Sequence, residues 1–128
     1  MMGVHHNYDE LKHAPEFCAG VEVVRQYGWA AAAAKKITAR LMTQGWGSEA
    51  VKGPMAGKLV MVPPALECGF EELGKHGSLI NPEFGSSFRL PAVLPNAPFA
   101  NTLKREFGID EFCSKYRICE DACHPIAI

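Results

Sequence analysis

Residues 69–90 read GFEELGKHGSLINPEFGSSFRL, a glycine-rich segment of a 128-residue chain. Because glycine lacks a Cβ atom, such a segment lets the backbone approach a flat or anionic ligand closely. Lys75 stands among these glycines and supplies a cation. Residues 81–85, NPEFG, have the composition of a turn. We therefore predict a loop here, and its residues alone fit a binding site and a structural turn equally well.

A second informative segment, residues 107–128, reads FGIDEFCSKYRICEDACHPIAI. Four-iron clusters are bound by a run of the form C-x2-C-x2-C-x3-C-P. Cys113, Cys119 and Cys123 keep three of the four cysteine positions. Tyr116 stands at the remaining position, and His124 separates the last cysteine from the proline. Because clusters require soft thiolate ligands, the spacing favours a cluster segment with an incomplete ligand set.

Two other interpretations of these cysteines stay open. They can be ordinary cysteines of a helix. Alternatively, Cys113, Cys119, Cys123 and His124 can form a zinc site, with suitable ligand types but without the usual paired spacing. The chain has five cysteines, an odd number, which does not favour a disulfide framework.

The pattern of the whole chain predicts a mixed α/β (α+β) domain. Apolar residues three or four apart, such as Tyr27, Ala30 and Ala34, predict a helix over 21–42, with Gly45 just beyond its end. The other predicted elements are a loop over 48–58, strands over 59–62 and 88–94, helices over 66–75 and 109–122, and a polar connector over 96–108. Asp110 is the expected N-cap of the last helix.

Composition excludes several classes of function. The net charge of −1 argues against an electrostatic nucleic-acid binder. The sequence contains no apolar stretch long enough for a transmembrane segment. The N-terminus lacks the pattern of a secretory signal, so as written we expect a cytoplasmic chain. We interpret His5, His6 and His13 as part of a solvated terminus rather than as a metal cluster.

In this order and at this separation, residues 69–90 and 107–128 resemble the C-terminal half of the corrinoid-dependent reductive dehalogenases. They are more distantly similar to epoxyqueuosine reductase. That family shows a G-x-G-E-L-G-[RK]-x-G-x-L-I-x-P-E-[YF]-G loop followed by the cysteine run. The resemblance implies a nitroreductase-like, corrinoid-binding half-domain over 21–108. An N-terminal arm over 1–20 would precede it, and a truncated ferredoxin-type cluster segment over 109–128 would follow.

The same resemblance implies cobalamin and four-iron clusters as cofactors and an organohalide as substrate. An electron-donor protein or partner chain is also implied, as is export or membrane association if a signal is missing. The family's proton-donating tyrosine has Tyr27 as its nearest match, and the basic residue that assists it matches Lys75. The three cysteines of 107–128 would be cluster ligands. The corrinoid contacts implied are Gly74, Lys75, His76, Gly77, Asn81, Pro82, Glu83, Phe84 and Gly85.

The chain is thus interpreted as a reductive dehalogenase-like oxidoreductase, represented by a fragment or divergent copy. One alternative is a non-catalytic iron–sulfur or electron-transfer remnant, or an interaction module. Such a module would expose apolar surface to further polypeptide. Another alternative is a small structural domain with a zinc site.

Overall fold

The structure is a computed structural model that describes residues 1–51, 59–100 and 103–123. The chain contains both helices and short antiparallel strands, which confirms the mixed α+β class. The helices are α1 (Tyr8–Leu11), α2 (Phe17–Thr43), α3 (Val62–Glu67), α4 (Ile109–Tyr116) and α5 (Ile118–Asp121). The strands are β1 (Val4–His5), β2 (Ser48–Val51), β3 (Glu72–Leu73), β4 (Leu79–Ile80), β5 (Phe88–Arg89) and β6 (Ala92–Pro95).

Helix α2 is the longest element and confirms the helix predicted over 21–42, although it begins four residues earlier, at Phe17. Its buried stripe consists of Ala19, Glu22, Gln26, Ala30 and Ala34. The three- and four-residue spacing puts these side chains on one face. The face is therefore part apolar and part polar, and Ile37, three residues after Ala34, is 41% exposed.

The strands pair in three separate antiparallel couples, β1 with β5, β2 with β6 and β3 with β4. Ser48 lies opposite Pro95 and Val51 opposite Ala92, and α2 packs on this pair. Val51, Met61 and Ala92 form a small buried core beside it. Among the described residues, no helix is long and apolar enough to cross a membrane.

Several predicted elements between 48 and 75 are wrong. Residues 48–51 form a strand rather than a loop, because they pair with β6. The strand predicted over 59–62 is absent, and Val62 begins α3 instead. Pro63 and Pro64 lie in its first turn, where a missing backbone N–H costs nothing, so they open a helix rather than end a strand. The helix predicted over 66–75 is also wrong, since α3 ends at Glu67 and β3 follows.

Two further predictions are only partly right. The strand over 88–94 is two strands, β5 and β6, which pair with different partners. The helix over 109–122 divides at Arg117, whose backbone is left-handed with φ 42°. Its N-cap is Gly108, not Asp110. The expectation of a solvated terminus is wrong for His6, which is buried, whereas His5 and His13 are exposed.

Candidate functional site

The predicted loop of residues 74–77, here called the glycine turn, joins β3 to β4. The backbone N–H of Gly74 donates to Ser78 O at 2.9 Å, and that of Gly77 donates to Gly74 O at 2.9 Å. A Cβ at Gly74 would lie 2.6 Å from the His76 ring and from Ile80, so a larger residue there would displace one of these side chains. At Gly77, with φ +80°, nothing lies within 4 Å of the Cβ position. The backbone of Gly77 is therefore open to a ligand.

One side of the glycine turn faces a cavity of about 250 Å³, here called the cysteine-side cavity. Lys75 and His76 line it from the turn, and Cys113, Tyr116 and Cys119 line it from α4 and α5. The glycine turn and the cysteine run, which the sequence presents as separate features, thus line the same cavity. Its other lining residues are Ile80, Phe112, Arg117, Ile118 and Glu120.

The donor set of this cavity does not complete a four-iron cluster, which takes four thiolates in the run considered. Two thiols line the cavity, and Cys123 is not among its lining residues. Within residues 1–51, 59–100 and 103–123, no group of three or more His, Cys, Asp or Glu is arranged to hold a metal ion. His124, the fourth residue of the zinc alternative, lies outside the described residues. The ligands described here therefore do not fit a complete cluster.

Hairpin residues beside the glycine turn contact helix α4, here called the cysteine helix. The Lys75 ammonium donates to Ser114 Oγ at 2.6 Å. The Glu72 carboxylate accepts hydrogen bonds from the backbone N–H groups of Phe107 and Ile109, the latter at 2.8 Å. Both ends of the hairpin are thus joined to the helix that carries Cys113.

The other side of the glycine turn faces a second cavity, of about 370 Å³, here called the arginine-side cavity. Gly77 and Ser78 line it from the turn, and Phe88 and Arg89 line it from β5. The guanidinium carbon of Arg89 lies 4.0 Å from the centre of the Tyr27 ring, a cation–π contact. The sequence reasoning missed Arg89, although it is the second cation of the 69–90 segment.

The structure places the two predicted catalytic residues in different surroundings. Tyr27 contacts Arg89, whereas Lys75 lines the cysteine-side cavity and bonds to Ser114. Tyr27 is not among the lining residues of either cavity. The cation that the structure brings to the tyrosine ring is therefore Arg89.

Residues 81–85 form a tight closed loop, in which Asn81 and Gly85 exchange backbone hydrogen bonds of 2.8 Å. The Asn81 amide donates to Phe70 O at 2.8 Å and accepts from the Glu83 N–H at 2.8 Å. Its polar atoms thus hold the loop together. Gly85, at φ +59°, has open space at its Cβ position, as Gly77 has.

The exposed glycine backbone and the arginine-side cavity can be compared with what a corrinoid requires. Flat ligands need backbone without side chains, and Gly77 and Gly85 offer it. The arginine-side cavity, at about 370 Å³, lies at the lower end of the range for small-molecule pockets. The described residues therefore fit one wall of a corrinoid site rather than an enclosing pocket.

Two carboxylates, Glu22 and Glu71, are buried in the structure. Glu22 on α2 accepts from the Asn7 N–H at 2.7 Å, from Gln26 at 2.7 Å and from Arg25 at 3.0 Å. The Asn7 hydrogen bond lowers the pKa of Glu22. Glu71 is 1% exposed, and neither of its oxygens has a hydrogen-bond partner among the described residues. Burial raises the pKa of Glu71 from 4.5 to about 7.

Comparison with known proteins gives one group of relatives. No protein-family model matches the chain. The chain is 32% identical over 122 residues to tetrachloroethene reductive dehalogenases of Desulfitobacterium hafniense and of Dehalobacter restrictus (strain DSM 9455 / PER-K23). The match covers 95% of this chain and 22% of each relative. The chain thus spans about a fifth of the length of these curated relatives.

Proposed function

The chain is related by sequence to the reductive dehalogenases, and on that premise we propose that it forms one wall of a corrinoid site in a reductive dehalogenase-like oxidoreductase. The observation that carries the proposal is the position of the glycine turn between two cavities. Cysteines face it on one side, and open glycine backbone and Arg89 lie on the other.

The arginine-side cavity is the proposed corrinoid face. Gly77 would let the flat ring approach the backbone, and Ser78 would supply a hydroxyl group at the edge of the turn. A bound reduced corrinoid would supply the electrons that remove halogen from an organohalide. The protein residues would bind and orient the reactants.

Proton transfer is the proposed role of Tyr27. Tyr27 lines neither cavity, but it contacts Arg89, which lines the corrinoid face. Its phenol O–H would give a proton, from beside that face, to the carbon that loses the halide. The Arg89 guanidinium lies over the ring and also lines the corrinoid face, so it would hold the phenol beside that face.

The cysteine side would contribute thiols but not a whole cluster. The described residues do not complete the ligand set of a cluster. Phe17 is 88% exposed, Leu103 85% and Val24 70%. Exposed apolar residues of this size favour packing against further polypeptide, which could supply the remaining ligands, close the corrinoid site and deliver electrons.

The proposal is tested by titrating the purified chain anaerobically with cob(II)alamin and recording electron paramagnetic resonance spectra. A base-off spectrum at one corrinoid per chain is expected. No bound corrinoid at equimolar concentration, or bound corrinoid that stays base-on, contradicts the proposal.

Two glycine variants make the titration specific for the glycine turn. Gly77→Ala and Gly45→Ala both add a methyl group at a positive φ with open space around it. Each pays a similar backbone cost of roughly 1–2 kcal/mol. Because Gly77 lines the arginine-side cavity and Gly45 lines neither cavity, Gly77→Ala should weaken corrinoid binding at least tenfold relative to Gly45→Ala. Equal affinities of the two variants would contradict the assignment of this face.

A further inference from the structure

We infer that Glu72 and Lys75 are positioning residues that hold the cysteine helix against the glycine turn and so fix Cys113 in the wall of the cysteine-side cavity. The inference rests on the proposed function only for what the thiols would serve. It is based on two contacts with α4, one from Glu72 on β3 and one from Lys75 in the glycine turn. Each contact joins residues more than 30 positions apart in sequence.

Glu72 supplies the N-terminal cap that α4 lacks locally. The first turn of a helix has backbone N–H groups without partners, together with a partial positive charge. The local N-cap residue is Gly108, which has no side chain to accept these hydrogen bonds. The Glu72 carboxylate accepts instead from Phe107 and Ile109, one residue before and one after this glycine. A carboxylate at this end stabilises the helix by both hydrogen bonding and charge.

Lys75 fastens the next turn of the same helix. Its ammonium donates to Ser114 Oγ at 2.6 Å, and that hydroxyl donates to Asp110 O at 2.8 Å. Ser114 directly follows Cys113. The thiol therefore lies between two anchors, the Glu72 cap at the helix start and the Lys75 contact one residue beyond.

These contacts assign Lys75 a role in the placement of the cysteine helix. Lys75 itself is exposed, so its replacement removes the contact with Ser114 without emptying a core position. The same contact joins the glycine turn to the helix, so that movement of one would be felt by the other. Cys113 and the turn are thus expected to hold a fixed relative position.

The test measures the alkylation rate of Cys113 by iodoacetamide, followed by peptide mass spectrometry, in the whole chain without cofactor. Cys18, on α2, serves as the internal reference thiol. Glu72→Gln should raise the Cys113 rate, and lower hydrogen-exchange protection of α4, by about fivefold, the factor that corresponds to loss of a cap worth about 1 kcal/mol. Glu111→Gln is the matched control, because it removes one negative charge from the first turn of α4 without removing a hydrogen bond of the Glu72 cap.

A double-mutant cycle separates the lysine contact from general loosening. Lys75→Met and Ser114→Ala should each raise the Cys113 rate, and the double variant should equal the larger single effect because both remove one interaction. Lys75→Arg keeps a donor and should restore at least half of the protection. Each result is read against the unchanged Cys18 rate.

Three outcomes would overturn the inference. They are an unchanged Cys113 rate in Glu72→Gln and Lys75→Met, multiplied effects in the double variant, and a parallel rise at Cys18. The assay needs no corrinoid or iron. Failure here therefore leaves the corrinoid titration intact, and failure of that titration leaves the alkylation result intact.

Discussion

Glu71 gives the most quantitative prediction of this structure. Its carboxyl group is 1% exposed, has no hydrogen-bond partner among the described residues, and has its pKa raised by burial to about 7. The amino group of Met1 offsets this rise only in part. Between the ordinary pKa of 4.5 and about 7, the folded chain therefore binds a proton that the unfolded chain has lost.

The sign of the pH effect follows from this difference. The contribution of Glu71 to stability should be fully present below about pH 4.5, fall as pH rises toward about 7, and level off above it. Each pKa unit corresponds to about 1.4 kcal/mol, so the deficit at pH 8 is about 3 kcal/mol. Glu71→Gln cannot ionise and should be more stable than the wild type at pH 8 by up to this amount, with little difference near pH 4.5.

Urea unfolding monitored by tryptophan fluorescence at pH 4.5, 6, 7 and 8 measures the effect. Glu83→Gln is the control, because it removes an exposed carboxylate from a neighbouring loop. A parallel pH dependence of the free energy of unfolding in Glu71→Gln and the wild type would contradict the prediction. So would a stabilisation of Glu83→Gln at pH 8 as large as that of Glu71→Gln.

Three other changes test the packing around α2. Glu22→Gln should lower the free energy of unfolding at pH 7 by on the order of 2 kcal/mol. Because the pKa of Glu22 is lowered in the folded chain, the wild type should lose stability below about pH 4.5, and the variant should lack this part of the loss in urea unfolding measured against pH. Ala34→Leu should destabilise by roughly 1–3 kcal/mol in thermal unfolding because Ala34 is fully buried, whereas Ala32→Leu, on the exposed face, should be nearly neutral. A cycle of Tyr27→Leu and Arg89→Met should give a coupling energy of about 0.5–1 kcal/mol, and a coupling of zero would deny the cation–π contact.

The sequence predicted what depends on local pattern. Apolar spacing located α2, and the helix predicted over 109–122 has the start of α4 right. Pro63 and Pro64 led to the wrong prediction of a strand over 59–62, because proline ends a strand but is also tolerated in the first turn of a helix. Local pattern does not choose between these outcomes, since the choice depends on what the next residues pack against.

In the candidate site, too, features set by local sequence pattern were predicted and long-range contacts were not. The glycine turn and the cysteine run were singled out from their motifs, and the structure brings the turn, Cys113 and Cys119 to one cavity. The contact of Arg89 with Tyr27 spans 62 residues of sequence and was not predicted. Glu72 as the cap of α4 was missed for the same reason, because Gly108 gives no local sign of where its cap comes from. Long-range pairing of polar groups follows from the folded arrangement rather than from spacing.

The most direct measurement is the position of the bound corrinoid, read by nuclear magnetic resonance of the ¹⁵N-labelled chain. Cob(II)alamin carries an unpaired electron that broadens nearby amide signals, and diamagnetic cob(III)alamin is the control. We expect the strongest broadening at Gly77, Ser78 and Arg89, which line the arginine-side cavity. Strongest broadening outside that cavity, or none at saturating corrinoid, would contradict it.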